Sequence, residues 1–213
     1  MNTPTLPPLP DEALQRLRRL ADAGARRLLG LVGPPGAGKS TLAAALQAAE
    51  PQRSQVVPMD GYHLANTELA RLGRAGRKGA PDTFDAAGFA ALLRRLRTPV
   101  AGETVYAPEY RRELEEGIAG AIAVPAAVPL LIVEGNYLLL DEGGWAPVAA
   151  LLDEVWYVDV DDALRVQRLE ARHRRFGRSA DEARAWVQQT DEPNARRIAA
   201  SRSRAHWCVR WEA

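Results

Sequence analysis

The chain has 213 residues, is 46% hydrophobic and carries a formal net charge of +1. That length suits one α/β domain with a full core, and the balanced charge gives no case for nucleic acid or an anionic membrane as a partner. A single cysteine, Cys208, excludes an intrachain disulfide and fits a reducing, cytoplasmic setting, and with three scattered histidines it leaves no zinc-ligand spacing.

The first ten residues hold four prolines and no basic start before an apolar core, so they read as an extended or flexible lead-in rather than a secretory signal. No apolar run approaches the roughly 18 to 20 residues of a membrane span. Leucines at 14, 17 and 20 mark one face of a helix over 11–23, with Asp11 as its expected cap. Residues 27–32 form an apolar run ending at a glycine, hence a buried strand. An alanine-rich helix is expected over 40–49, closed by Pro51, and a second strand over 55–59. Residues 64–81 are polar, glycine-rich and basic, with the character of a loop or broken helix.

Phe89, Leu92, Leu93 and Leu96 give 85–96 a helical period. Residues 104–110 and 117–124 alternate as the two strands of an appended hairpin. Unbroken apolar runs at 130–133 and 154–160 read as central parallel strands. Helices are expected over 164–175 and 180–189, and a last strand over 206–211. Strands alternating with helices predict a mostly parallel sheet covered on both faces. The expected organisation is one domain over 11–213. Residues 61–125 form an acceptor-side insertion and residues 164–190 an arginine-bearing lid region.

The strongest local signal is Gly33-Pro34-Pro35-Gly36-Ala37-Gly38-Lys39-Ser40, a glycine, four variable residues, then Gly-Lys-Ser. With glycine at about 7% of residues, this pattern arises by chance in roughly one chain in a hundred. Here it also stands between a strand and a helix, the context a phosphate-binding loop requires. Glycines let the backbone turn with positive φ and approach phosphates closely, and the N–H groups at the helix start then face the anion. Lys39 would place its charge on the β- and γ-phosphates, and Ser40 would offer a hydroxyl to Mg²⁺. The nucleotide-binding segment therefore runs from Gly33 through Thr41.

Such a loop says nucleotide, not reaction. The Asn-Lys-x-Asp motif of a GTPase is absent, and Asp141-Glu142-Gly143-Gly144 lies well past the strand end and reads as a turn. Asp60 ends the second strand. At the carboxyl edge of a parallel sheet it reads equally as a proton acceptor across the γ-phosphate from Lys39 and as a turn cap. Glu134 ends the 130–133 strand, where an outer-shell magnesium ligand belongs. Arg165, Arg168 and Arg172 recur at helical spacing, so they share a face that could close over a transferring phosphate. His63 reads as an ordinary loop histidine or a substrate contact.

Together these residues resemble the phosphoribulokinase/uridine kinase family of P-loop kinases, which includes bacterial pantothenate kinase. The likeness is greatest to its branch of nucleoside or fructose-transport-system kinases. It is carried by the loop and by residues 59–63, 77–85, 106–110, 133–137 and 158–161 with the arginine helix. The resemblance implies a three-layer P-loop fold and an ATP- and Mg²⁺-dependent kinase acting on a small-molecule hydroxyl. It puts Asp60 at the catalytic base, Glu134 at the magnesium-site acid, Arg168 and Arg172 on the lid, Tyr110 beside the acceptor, and residues 194–204 near adenine. One departure matters: where uridine kinases hold ribose with an aspartate, this chain has Gly79, preceded by Arg77 and Lys78. Uridine is therefore doubtful. The basic stretch Arg71, Arg74, Arg77 and Lys78 would suit an anionic acceptor, or is simply solvated. The rival expectation is a nucleotide-dependent regulatory ATPase without an acceptor. A homodimer is left open.

Overall fold

The computed structural model describes residues 7–211. Its centre is a five-stranded sheet of β1 (Arg27–Val32), β2 (Ser54–Pro58), β5 (Leu130–Gly135), β6 (Glu154–Asp159) and β7 (Trp207–Arg210) in the order β2-β5-β1-β6-β7. Every pairing in it is parallel. Strands β3 (Thr104–Arg111) and β4 (Glu116–Pro125) form a separate antiparallel hairpin.

The layers follow from the period-two geometry of the strands. Leu29, Leu31, Leu130, Ile132, Trp156 and Val158 point to one side of the sheet. There they meet α1 (Asp11–Ala21) and α2 (Lys39–Ala49). Leu28, Val32, Leu131, Val133, Val155 and Tyr157 point to the other side, onto α4 (Ala86–Arg97), the 137–152 segment and the hairpin. Because both faces are covered, these strands read as continuous apolar runs.

Two helix starts differ from expectation. Pro10 occupies the cap of α1 with no side-chain hydrogen bond, and Asp11 is instead the first helical residue. There its charge favours the positive end of the helix dipole. The proline-rich lead-in falls partly on residues 1–6, outside the described residues. The Pro8 carbonyl accepts a 3.1 Å hydrogen bond from Trp211 Nε1, and Leu9 packs against the α1–α2 side of the core. In the basic stretch 64–81, residues Asn66–Arg71 form a short helix, α3, followed by 3-10 turns.

After β6 come α5 (Asp162–Arg175), α6 (Ala180–Trp186), a π-helical turn over Val187–Asp191 and α7 (Glu192–Ala199). Asp161 caps α5 through Ala163 N and Leu164 N, and Ser179 with Glu182 forms a capping box on α6. Among the described residues no helix is long and apolar enough to cross a membrane.

Candidate active site

The carboxyl ends of β1, β5 and β2 lie side by side, and each delivers a charged residue to one cleft of about 560 Å³. The strand register sets the spacing: Glu134 of β5 lies between Leu31 of β1 and Pro58 of β2. Lys39 follows β1 by the length of the glycine loop, and Asp60 follows β2 by two residues.

The loop takes the form its glycines allow. Gly36 and Gly38 have φ of +83° and +89°, a region that side-chain-bearing residues rarely adopt. A Cβ on Gly36 would also lie 2.8 Å from the Arg165 carbonyl of α5. Pro35, Gly36, Gly38, Ser40 and Thr41 line the cleft together with Lys39, while Gly33, Pro34 and Ala37 are buried behind them. Lys39 Nζ donates to the carbonyls of Gly33, at 2.9 Å, and Pro34, at 3.1 Å. Burial lowers its ammonium to about 8, against the opposing pull of Glu134 and Asp60.

Glu134 is buried, and its Oε1 accepts a 3.1 Å hydrogen bond from Ser40 Oγ. Burial, and then the charge of Asp60, push its carboxyl above the ordinary value, more than Lys39 and Ser40 pull it down. A buried carboxylate bonded to the loop hydroxyl is the donor pair that Mg²⁺ takes beside a nucleotide. No group of three or more His, Cys, Asp or Glu that could hold a metal gathers among the described residues. Phosphate oxygens and water would complete the shell, the usual manner of this ion at nucleotide sites.

Asp60 sits in a 3-10 turn over Met59–Tyr62. Burial pushes its carboxyl up, but His63, Arg112, Lys39 and Arg172 together hold it below the ordinary carboxylate value. His63 Nδ1 lies 2.7 Å from the Asp60 carbonyl oxygen, which makes that nitrogen the donor. Its ring is flanked by Phe84 and Tyr110, with centroids at 3.9 and 4.5 Å. Burial lowers the imidazole pKa, which favours the neutral ring. The Tyr110 phenol is pushed up by burial.

Opposite these groups, Arg168 and Arg172 line the cleft from α5. An ideal Cβ on Gly38 would lie 3.8 Å from Arg168 Nη1. Burial, then Arg112, lowers the Arg172 pKa. Arg165 does not join them. It is 2% exposed, points away from the cleft, and bonds Asp162 at 3.0 Å and Glu192. The three-arginine face is thus split: one turn of α5 is packed on the back of the loop, and the next two reach the cleft.

The basic stretch is divided in the same way. Arg71 pairs with Glu68, and Arg74 and Arg77 both pair with Asp82. Only Lys78 of the four lines the cleft. Its Nζ donates to Asn66 Oδ1 at 2.6 Å and to the Glu115 carbonyl, and lies 5.3 Å from the Tyr110 ring centre. None of residues 194–204 lines the cleft. Trp211, at the end of β7, does. Asp141 pairs with Arg204, in keeping with its reading as a turn residue.

Sequence reasoning missed Arg112. It stands just past β3, and its Nη2 lies 3.4 Å from Asp60 Oδ2. It arrives there because the hairpin docks backbone to backbone on the Asp60 turn. An ideal Cβ on Gly61 would be 2.3 Å from the Pro108 carbonyl oxygen, and one on Gly117 would be 2.5 Å from the Gly61 carbonyl oxygen. The one local signal was the Arg111–Arg112 doublet after Tyr110. Also missed was the hydrogen bond between His173 Nε2 and Asp191 Oδ2, at 2.8 Å, which ties α5 to the π-turn.

No protein-family model matches the chain. Individual proteins do. The crystal structure of a candidate fructose-transport-system kinase from Silicibacter sp. TM1040 superposes with a TM-score of 0.83 at 39% identity, covering 93% of this chain and 97% of that one. A candidate uridine kinase of Schizosaccharomyces pombe is 35% identical over 190 residues, 85% of this chain and 80% of that protein. The pantothenate kinase of Leifsonia xyli is 32% identical over 87% of this chain and 66% of its own length.

Proposed function

The chain belongs to the phosphoribulokinase/uridine kinase family of P-loop kinases, and from that premise we propose that it transfers the γ-phosphoryl group of ATP to a hydroxyl of a small molecule, with Mg²⁺ as cofactor. The observation that carries this reading is the convergence of Lys39, Asp60 and Glu134 on one cleft from three neighbouring strand ends, faced by Arg168 and Arg172. A regulatory ATPase needs the loop and the metal acid. It does not need a second carboxylate in a part of the cleft also lined by Tyr110, His63 and Lys78.

The roles follow from the geometry. The loop amides from Gly33 to Thr41 would cradle the phosphates. Lys39 would exchange the carbonyls of Gly33 and Pro34 for β- and γ-phosphate oxygens. Ser40 and Glu134 would hold Mg²⁺, which when bound neutralises charge on those phosphates. The acceptor's oxygen forms a bond to the γ-phosphorus while the bond from that phosphorus to the bridging oxygen breaks, its electron pair leaving on ADP. The hydroxyl proton passes to Asp60. A carboxyl held below its ordinary value is ionised at neutral pH and ready to accept it. It is a weak base, which suffices where the transition state is loose and the proton moves late. Arg168 and Arg172 stabilise charge on the moving group. Residues 61–125 thus serve the acceptor and 164–190 act as the lid.

Coupled measurement of ADP formation over a panel of sugars, nucleosides and vitamins tests this. Lys39→Ala and Asp60→Asn should each abolish acceptor-dependent turnover, the second by about 10²- to 10⁴-fold. Only the first should strongly weaken ATP binding. Full turnover in Asp60→Asn would remove the base assignment. Hydrolysis that no acceptor alters would favour the regulatory reading.

A further inference from the structure

The chain has 28 basic residues, and only two of them, Lys39 and Lys78, are lysine. Both line the same cleft. Elsewhere, wherever a cation only pairs with a surface carboxylate or solvates a helix, this sequence uses arginine, as at Arg18, Arg53, Arg71 and Arg77. The two cations differ chemically: lysine offers a compact point charge with three rotatable donors, arginine a planar fork. Lys39 holds phosphate in the reading given above. Lys78 stands at the other end of the cleft, beside Tyr110 and Asn66, with two of its donors on oxygens of Asn66 and Glu115.

Arg112 stands on the same wall. Its guanidinium is 5.9 Å from the Tyr110 ring centre and so shares that ring with Lys78. Its contact with Asp60, at 3.4 Å, is longer than the 2.7 to 2.9 Å of a well-formed charge-assisted hydrogen bond. Its side chain is still 41% exposed. Arg112 is therefore exchangeable, and the charge it neutralises is the carboxylate assigned to the hydroxyl proton. Two carboxylates stand near this wall: Glu115, exposed on the hairpin tip, and its neighbour Glu116, both of which act on the Lys78 charge.

We propose that Lys78 and Arg112 form an anion subsite, so that the acceptor is a small hydroxylated acid whose carboxylate or phosphate they hold while its hydroxyl faces Asp60. This deepens the kinase reading and rests on it. A neutral acceptor leaves Arg112 on Asp60 and forfeits both charged contacts. An anionic one draws Arg112 off Asp60 as it binds, and so frees the base only when the correct class of molecule is present.

Two measurements test this and separate its failure from that of the kinase reading. The first is calorimetric titration of inorganic phosphate, D-glycerate and glycerol into protein saturated with Mg·AMP-PNP, which fills the loop. At least one anion should bind saturably and glycerol should not. Losing one charge-assisted contact should weaken the anion about tenfold in Lys78→Met and in Arg112→Met. Arg71→Gln, outside the cleft, should leave it unchanged. Absence of anion binding, or an affinity in both cleft variants unchanged from that of the native protein, overturns the subsite.

The second is ADP formation with matched pairs: glycerate and glycerol, pantothenate and pantothenyl alcohol, fructose 6-phosphate and fructose. Turnover confined to anionic members upholds the subsite, and the pair that responds tells carboxylate from phosphate. Neutral members turned over as fast as their anionic partners overturn it and leave the kinase reading intact. Anion binding that needs Lys78 and Arg112, with no acceptor-dependent ADP from any pair, upholds the subsite and fails the kinase reading.

Discussion

The buried ammonium of Lys39 makes nucleotide affinity depend on pH in a calculable way. In the free protein burial holds the ammonium of Lys39 at about 8 rather than 10.5, and the charges of Glu134 and Asp60 offset only part of that lowering. A triphosphate binds the protonated form. With that value the protonated fraction falls from about 0.9 at pH 7 to about 0.1 at pH 9, so the affinity for Mg·AMP-PNP should fall about tenfold across the interval. Titration calorimetry at constant ionic strength reads this directly, and Lys39→Met should bind weakly with little dependence on pH.

Stability supplies an independent check of the same shift. The folded-state pKa lies below the unfolded one, so between pH 8 and 10.5 the unfolded chain holds more protons and stability rises with pH. Relative to Lys39→Met, the native sequence should gain about 2.5 kcal/mol from pH 7 to 10, read from urea melts. An affinity that stays flat from pH 7 to 9, or one that falls as steeply in Lys39→Met, would refute the assignment of that charge to the phosphates.

Two further substitutions probe how the site is held. Gly61→Ala forces a Cβ to within 2.3 Å of the Pro108 carbonyl oxygen, and overpacking of this kind costs about 1 to 3 kcal/mol. It should lower the melting temperature and raise the acceptor KM more than the ATP KM, because the hairpin and not the loop is displaced. Arg165→Met removes a buried cation that bonds Asp162 and Glu192. Because both carboxylates keep some exposure, the cost should be about 2 kcal/mol rather than the full penalty of a buried orphan charge. Denaturant melts measure it. ATP affinity should fall as well, since the Arg165 backbone abuts Gly36 of the loop.

Features fixed by short-range chemistry were legible in the sequence. The apolar run 27–32 is the strand β1 to the residue, and the glycine pattern after it forms the loop between β1 and α2. Glu134 was legible because it directly follows such a run, and Asp60, expected at a strand end, stands two residues past β2, where the parallel pairing still brings the two strand ends together. What failed depended on partners chosen by tertiary packing. Arg165 obeys the same spacing as Arg168 and Arg172, yet its turn of α5 lies against the back of the loop and against Glu192. Arg112 meets Asp60 across 52 positions only because two glycines let the hairpin seat on the Asp60 turn. The helix Glu192–Ala199 was overlooked because the π-turn through Gln188, Gln189 and Thr190 shifts the helical phase just before it. The pairing of Arg71 with Glu68 was readable, since residues three apart on a helix are neighbours. That pairing commits one of the four cations; the Asp82 partners of Arg74 and Arg77 emerge only in the folded loop.

The central claim is that a phosphoryl group leaves ATP for an alcohol in this cleft. Mass spectrometry of a small-molecule extract incubated with the protein and ATP carrying ¹⁸O on its γ-phosphoryl group tests it most directly. The account predicts a new ion heavier by one labelled phosphoryl unit, lost with Asp60→Asn. Labelled inorganic phosphate as the sole product, formed at the same rate with and without the extract, would contradict it.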